Sequence, residues 1–502
     1  MRSKSAPRGR ALLLTELIAE DNVARSHSIP EDTEIAGLTA DSRDVRKGFL
    51  FAAIRGTRVD GRSYIGDAIN AGAVAILTQA DETDKNINID VPVIMDTNPR
   101  QCLARMAARF YNSQPSAITA VTGTNGKTSV VHFAQQLWTL LGCKAAALGT
   151  LGVIGPDLAN DFKLTTPDPV TLHQTLFELN NLGIGYVACE ASSHGLAQYR
   201  LDGLKIKAGA FTNLSHDHLD YHQTTKAYCT AKLRLFNELI SDDGTIVVNI
   251  DSDMYAAISE IANERSLQQI TYGFKTSDLH CVEAIASEDG WCIKLNVLNV
   301  NYNIKFPLHG HFQISNALCA VGLVIACGIN PGDVIPLLTD LKAVPGRMKR
   351  AAILEGGAQI FVDYAHTPEA LRAALESLRA HVRGRIIVIF GCGGDRDKEK
   401  RPEMGKIASS LADVVIVTDD NPRGENATAI RQDILRACPT ARDIGDRSIA
   451  IRAGVELLHS GDALLVAGKG HESEQIVGQK TLPFNDTNVV HDAVRLHESV
   501  SS

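Results

Sequence analysis

The chain has 502 residues, 44% hydrophobic and 22% charged, with a net charge of −8, a soluble globular composition with length for about three domains. The acidic balance excludes a nucleic-acid footprint, which needs a basic domain or stripe, and no apolar run approaches the roughly 18 residues of a membrane span. Ten cysteines stand singly with no C-x-x-C pair, which disfavours a zinc site or a disulfide framework and fits buried thiols in a reducing cytoplasm.

The N-terminus is basic, at Arg2, Lys4, Arg8 and Arg10, but its apolar run covers only 11–14, too short for a signal-peptide core. The first ten residues read as a loose tail and the protein as cytoplasmic. Residues 48–54 form a strand-like run, 56–61 a loop, 64–71 a helical pattern and 73–77 a short buried strand, a small α/β unit closed by a helix over 105–111. Within it, Asp96-Thr97-Asn98-Pro99-Arg100 reads as a helix entry. Tyr111-Asn112-Ser113-Gln114-Pro115-Ser116 reads as a linker.

Next comes Ala120-Val121-Thr122-Gly123-Thr124-Asn125-Gly126-Lys127-Thr128-Ser129, between an apolar run at 117–121 and a helical pattern at 130–141. Backbone N–H groups of such a loop and the helix start behind it cradle phosphate oxygens. Lys127 would reach the β/γ-phosphates and Thr128 would place its hydroxyl on Mg²⁺. The general pattern asks for glycine where this chain has Val121, so a plain Gly-rich turn stays open.

Apolar runs at 145–148, 186–190, 208–212 and 245–249 suit a parallel sheet, with helical patterns at 170–182 and 225–239 between them. Alternation over 270–306 predicts an antiparallel excursion and 312–327 a returning helix. After the boundary Val344-Pro345-Gly346-Arg347, strands at 360–363, 386–390, 414–418 and 463–467 alternate with helices. Ligands of such a Rossmann-like sheet sit at the carboxyl ends of its strands. The loops there are Asp363-Tyr364-Ala365-His366, Gly391-Cys392-Gly393-Gly394-Asp395-Arg396, Asp419-Asp420-Asn421-Pro422-Arg423 and Gly468-Lys469-Gly470-His471-Glu472. The expected fold class is α/β in three domains: a small N-terminal α/β domain (1–113), a central P-loop ATPase domain with a mostly parallel sheet (114–345) and a C-terminal Rossmann-like domain (346–502). Taken singly, Asp41-Ser42-Arg43 reads equally as a turn, and Lys232 as a solvated helix lysine. His216, His218 and His222 invite a zinc reading that no cysteine pair supports.

Together, ordered strings resemble the Mur ligases, ATP-dependent amino-acid ligases of peptidoglycan precursor synthesis. They are Thr122-Gly123-Thr124-Asn125-Gly126-Lys127-Thr128, where the family pattern needs no glycine at Val121; Thr165-Thr166-Pro167-Asp168; Glu190-Ala191-Ser192-Ser193-His194-Gly195-Leu196; Asn213-Leu214-Ser215-His216-Asp217-His218-Leu219-Asp220-Tyr221-His222; Ala231-Lys232-Leu233-Arg234-Leu235-Phe236; Asp363-Tyr364-Ala365-His366-Thr367-Pro368; and Gly393-Gly394-Asp395-Arg396-Asp397-Lys398. The resemblance covers about residues 41–475. It implies transfer of the γ-phosphoryl group of ATP to a carboxylate, then attack of an amine on the acyl phosphate, chemistry of positioning and charge neutralisation.

By the same resemblance, Gly123, Thr124, Asn125, Gly126, Lys127, Thr128 and Ser129 hold phosphates, and Asn316, Arg347 and Asp363 contact adenine and ribose. Relatives often pair two asparagines where this chain has Gln313 and Asn316. Lys127, Glu190, His218 and Lys232 would be catalytic. Thr128, Glu190, His218 and Lys232 would serve Mg²⁺, Lys232 as a CO₂-derived carbamate (N6-carboxylysine), since a hard cation takes oxygen ligands and not an ammonium. Ser42, Thr57, Arg58, Val59, Thr165, Thr166, Ser192, Gln198 and Arg200 match the binding positions for the UDP-N-acetylmuramoyl dipeptide. Leu164 stands where relatives often have asparagine. Asp420-Asn421-Pro422-Arg423 matches the members that add meso-diaminopimelate to the D-Glu of UDP-N-acetylmuramoyl-L-alanyl-D-glutamate. Arg423 can pair with the carboxylate that lysine lacks, and Arg396, Gly468 and Glu472 complete that pocket. The partners implied are these small molecules and ATP, with no nucleic acid and no stable membrane association, acting on a monomer. The alternatives are a lysine-adding homologue, a folylpolyglutamate synthase-like ligase and a P-loop regulatory protein that only binds nucleotide.

Overall fold

The strands predicted around the phosphate loop are apolar runs, and the structure buries them except at their ends, Tyr186 and Asn249. In strand Ala117–Thr122 all six residues are buried, and strand Ala145–Gly149 is buried throughout. The structure is a computed structural model that describes residues 11–19, 21, 24–25, 32–56, 59–80, 90–156, 158–160, 162, 164–215 and 217–501. The basic tail, Thr57, Arg58 and His216 lie outside the described residues. The chain divides into two units, one of Met1–Ala120, Lys144–Lys207 and Arg234–Ser241, the other of Val121–Cys143, Ala208–Leu233 and Asp242–Ser502.

In the first unit, five strands are ordered Ala24–Arg25, Val93–Asp96, Ala73–Gln79, Phe49–Ala53 and Gly37–Thr39, parallel except at Ala24–Arg25. The closing helix begins earlier than its hydrophobic pattern alone predicts, at Pro99–Tyr111. Asn98 caps it by accepting from the Gln101 N–H at 3.3 Å, and Pro99 occupies the first turn, where no N–H is needed. Cys102, Leu103, Met106, Ala107 and Phe110 turn its apolar face into the core. The same unit pairs strand Tyr186–Glu190 parallel to Ala145–Gly149 and adds the antiparallel strands Gly152–Gly155 and Leu158–Asn160, which the sequence reading missed.

In the second unit, strand Ile240–Asn249 pairs parallel with Gln268–Gly273, and the alternating stretch forms an antiparallel meander, Leu279–Ser287, Gly290–Val297 and Val300–Phe306. Helix His311–Ala326 has eleven buried residues, as its nearly all-apolar sequence requires. A six-stranded sheet follows in the order Lys349–Ile353, Gln359–Asp363, Ala463–Ala467, Ile386–Phe390, Val414–Val417 and Arg442–Asp443. All its pairings are parallel except that of Lys349–Ile353, so the loops after Asp363, Phe390, Val417 and Ala467 leave from one edge. The expectation of buried thiols fails at Cys292, which is exposed, and at Cys143 and Cys229, which are half-buried.

Candidate functional site

The phosphate loop leaves strand Ala117–Thr122 and enters helix Lys127–Leu140. Gly126, at φ +87°, precedes the helix, and a Cβ there would sit 2.4 Å from Asn316 Oδ1. Only glycine allows that approach. Downstream residues tie the loop down: the Asn125 N–H donates to Asn213 Oδ1 at 2.9 Å, and the Ser215 N–H donates to Thr124 Oγ1 at 2.9 Å. Lys127 Nζ folds over the loop, donating to the carbonyls of Gly123 and Thr124 at 2.9 and 2.8 Å.

A cavity of about 270 Å³ opens on this loop and brings together Asn125, Gly126, Ser129, Asn316, Arg347 and Asp363, six of the residues expected to hold nucleotide. The Arg347 guanidinium stacks 4.4 Å above the Tyr364 ring and donates from Nη2 to Thr128 Oγ1 at 2.9 Å, while its buried Nε has no partner among the described residues. An orphaned guanidinium N–H beside a phosphate loop suits an anionic oxygen. Asp363 accepts from the Met348 N–H at 2.5 Å and the Ala365 N–H at 2.8 Å. Burial pushes its carboxyl up to about 6, against the opposing pull of Arg347. Gln313, the departure from the common asparagine, accepts from Asn316 Nδ2 at 2.9 Å and donates to the Arg347 carbonyl at 3.1 Å. It holds Asn316 against the loop.

Lys232, on helix Thr225–Arg234, is 1% exposed, which corrects its reading as a solvated lysine. Its Nζ donates to the Gly123 carbonyl at 2.7 Å and lies 4.4 Å from the Tyr228 ring centre. Burial, and then the nearby Lys127, push its pKa well below the ordinary lysine range, favouring the neutral, nucleophilic amine. The helix expected over 225–239 is not uniform: it widens to a π-turn at Leu235–Leu239, a distortion frequent at functional sites. His218 takes a left-handed φ of +54° with an exposed side chain, whereas His222 is buried. Among the described residues, no three His, Cys, Asp or Glu side chains gather as metal donors.

In the first unit, six expected residues meet at the end of strand Tyr186–Glu190. Glu190 is 2% exposed and accepts from the Thr150 N–H at 2.8 Å and the Thr150 hydroxyl at 3.2 Å. The Thr150 and Thr165 hydroxyls lie 3.1 Å apart. Thr166 donates to the Glu190 carbonyl at 2.8 Å, and its hydroxyl lies 3.0 Å from that of Ser192. Arg200 donates to the Thr166 carbonyl and to Gln198 Oε1, both at 2.6 Å. Behind them, the buried Arg234 grips Asp202 at 2.6 Å and stacks 4.1 Å from the Tyr199 ring, fixing the turn that carries Arg200. The sequence reading missed Thr150, whose one signal is its place directly after a buried strand. Leu164 is 48% exposed and Val59 55% exposed. Ser42 heads a short 3₁₀ turn in which Asp41 accepts from the Arg43 N–H at 3.0 Å, so the turn reading of that string holds.

The third group lies at the carboxyl edge of the six-stranded sheet. Arg423, at a left-handed φ of +50°, donates from Nη1 to the Gly394 carbonyl at 2.9 Å. A Cβ at Gly393 would lie 2.6 Å from that Nη1, so the guanidinium rests on bare backbone. Asn421 donates to Glu472 Oε2 at 2.9 Å, and Gln475 donates to the Asp420 carbonyl at 2.7 Å. A Cβ at Gly468 would stand 2.8 Å from Asp420 Oδ2. Pro422 is buried and Arg396 exposed. Lys469, wholly buried and bonded to Glu472, escaped the sequence reading although it stands between two glycines of a quoted loop. Burial, and then Arg347, push the nearby His471 down to about 3, which leaves its imidazole neutral.

A phosphate loop entering a helix from a buried strand, with cations converging on it, defines an α/β nucleotide-binding protein. Three family models match in succession: Mur ligase family, catalytic domain over 34–111; Mur ligase middle domain over 121–324; and Mur ligase, glutamate ligase domain over 346–470. Among curated proteins, the UDP-N-acetylmuramoyl-L-alanyl-D-glutamate–2,6-diaminopimelate ligase of Zymomonas mobilis is 48% identical, over 92% of this chain and 96% of its own length. The ligase of the same name from Mesorhizobium japonicum is 46% identical over 92% and 96%. A solved structure of a protein with that name superimposes with a TM-score of 0.71 at 30% identity, covering 97% of this chain and 99% of its own. The chain belongs to the Mur ligase family and has its three-domain α/β architecture.

Proposed function

We propose that the protein is an ATP-dependent amide-forming ligase that adds meso-diaminopimelate to the D-Glu of UDP-N-acetylmuramoyl-L-alanyl-D-glutamate in peptidoglycan precursor synthesis. The observation that carries this reading is the cavity where the phosphate loop, Asn316, Arg347 and Asp363 converge. The 48% identical ligase that bears this activity in its name supports the choice of substrates. The substrate carboxylate attacks the γ-phosphorus and ADP leaves. The amine then attacks the acyl carbon, loses a proton and expels phosphate. Lys127 and the loop N–H groups neutralise phosphate charge, and Arg347 supplies its Nε–H. Thr165, Thr166, Ser192, Gln198 and Arg200 hold the muramoyl-peptide, and Ser42, Thr57, Arg58 and Val59 its uridine diphosphate. Arg396, Arg423, Asp420, Asn421, Pro422, Gly468 and Glu472 hold the amino acid.

Mg²⁺, when bound, neutralises phosphate charge and draws electrons from the γ-phosphorus. The residues fit it on one condition. Lys232 as an amine is no ligand, but a neutral buried amine can take CO₂ to become a carbamate with oxygen donors. Thr128, His218 and the carboxylated Lys232 would then serve the ion, and the same service is proposed for Glu190. The reading includes domain limits of 1–113, 114–345 and 346–502, a monomeric state and a cytoplasmic location. The test is phosphate release from ATP with the muramoyl dipeptide and meso-diaminopimelate both present. Release that needs both supports the ligase, and none in their presence removes it. L-Lysine in place of diaminopimelate tests specificity: equal turnover would sink the choice of amino acid.

A further inference from the structure

Lys469 follows strand Ala463–Ala467 and has no exposed side-chain surface. Its Nζ donates to Glu472 Oε2 at 2.9 Å and to Asn421 Oδ1 at 3.1 Å. Asn421 Nδ2 donates to the same Glu472 Oε2 at 2.9 Å, and Asn421 Oδ1 also accepts from the Ile476 N–H at 3.0 Å. One oxygen of Glu472 is thus held by two donors. The Glu472 side chain is 31% exposed where Lys469 is fully covered, so Glu472 can touch a ligand and Lys469 cannot.

Asn421 also sets the distance to the opposite charge. Its carbonyl lies 3.5 Å from Arg423 Nη1 while its side chain grips Glu472. From behind, the buried Arg447 pairs with Asp486 at 2.7 Å and donates to the Ala467 carbonyl at 2.9 Å, pinning the strand end from which Lys469 starts. Asp420 and Glu472 stand against Arg423 and Lys469, so the formal charges of these four side chains cancel. A group bearing both an ammonium and a carboxylate satisfies both ends of such a site. A lone ammonium leaves Arg423 unpaired and meets a carboxylate already half engaged.

We propose that Lys469 is a positioning residue that makes this site select a zwitterionic amino-acid head over a lone ammonium, by occupying one oxygen of Glu472 and fixing Asn421. The inference deepens the diaminopimelate reading above and rests on it. The test compares kcat/KM for meso-diaminopimelate and L-lysine in the wild type, K469M, E472Q and the double variant. K469M raises the KM for diaminopimelate, leaves the KM for ATP unchanged and shrinks the preference for diaminopimelate about tenfold. That loss is smaller when Glu472 is already glutamine, because the two changes share the Lys469–Glu472 contact. Wild-type discrimination retained in K469M overturns the proposal and leaves the ligase reading standing. A wild type that turns over neither amino acid overturns both. If K469M does not fold, the double variant, which removes cation and carboxylate together, decides: a further loss of preference beyond E472Q of less than about tenfold supports the proposal, and one of about tenfold or more overturns it.

Discussion

At the phosphate loop the residues proposed to hold phosphate are seven consecutive ones, 123–129, set between one buried strand and one helix. At the edge of the six-stranded sheet the charges come from separate loops, with Arg423 resting on Gly394 and Asn421 bonded to Glu472 fifty-one residues away. The first region takes its phosphate cradle from one contiguous loop, which Asn213 and Ser215 only brace. The second sets charges of both signs at fixed spacing, the arrangement that the proposed choice between amino acids requires. On the proposed reading, activation rests on a contiguous loop, whereas selection is assembled from a distance.

The sharpest way to break this contrast is at Lys127. Lys127→Ala should lower amino-acid-dependent phosphate release by about a thousandfold with every substrate alike, as measured by steady-state kinetics. A loss confined to one amino acid would refute the generic role. Lys232→Ala should cost on the order of a hundredfold, and a small carboxylic acid should restore part of the rate. Full activity without rescue would remove the carbamate. Arg423→Ala should raise the diaminopimelate KM between about ten- and a hundredfold and leave the ATP KM alone. Parallel shifts in both constants would mean that the two regions are not separable.

Two smaller effects lie away from both regions. Burial pushes His173 down to about 4, with its Nε2 3.0 Å from the Asp202 carbonyl. Its folded pKa is below the unfolded value of about 6.5, so its contribution is present above pH 6.5 and is lost as pH falls toward 4. His173→Gln should flatten that part of the stability profile in denaturant melts. Asn98→Ala removes a helix cap and should cost about 1 kcal/mol of stability without moving any kinetic constant.

The strands around the phosphate loop and in the last sheet were legible because a fully buried parallel strand is an unbroken apolar run, as at Ile386–Phe390. The antiparallel strands Gly152–Gly155 and Leu158–Asn160 were not, since their residues carry no clear alternation. Lys232 shows the limit for sites. As a residue type it reads as solvated, and only the likeness of its neighbouring string to a family suggested otherwise. Its burial depends on Tyr228 and on Gly123, more than a hundred residues upstream.

By itself, the sequence determined the phosphate loop, the alternation of strands and helices, and the positions of the loops at strand ends, because each follows from local spacing and from hydrogen bonds between near neighbours. Only the tertiary structure decided that Gln313 steadies Asn316, that Arg347 brings to the loop an N–H with no partner among the described residues, and that Lys469 lies buried under Glu472. Those facts are partnerships between distant residues. The desolvation that gives a buried charge its meaning arises only when the chain has closed around it.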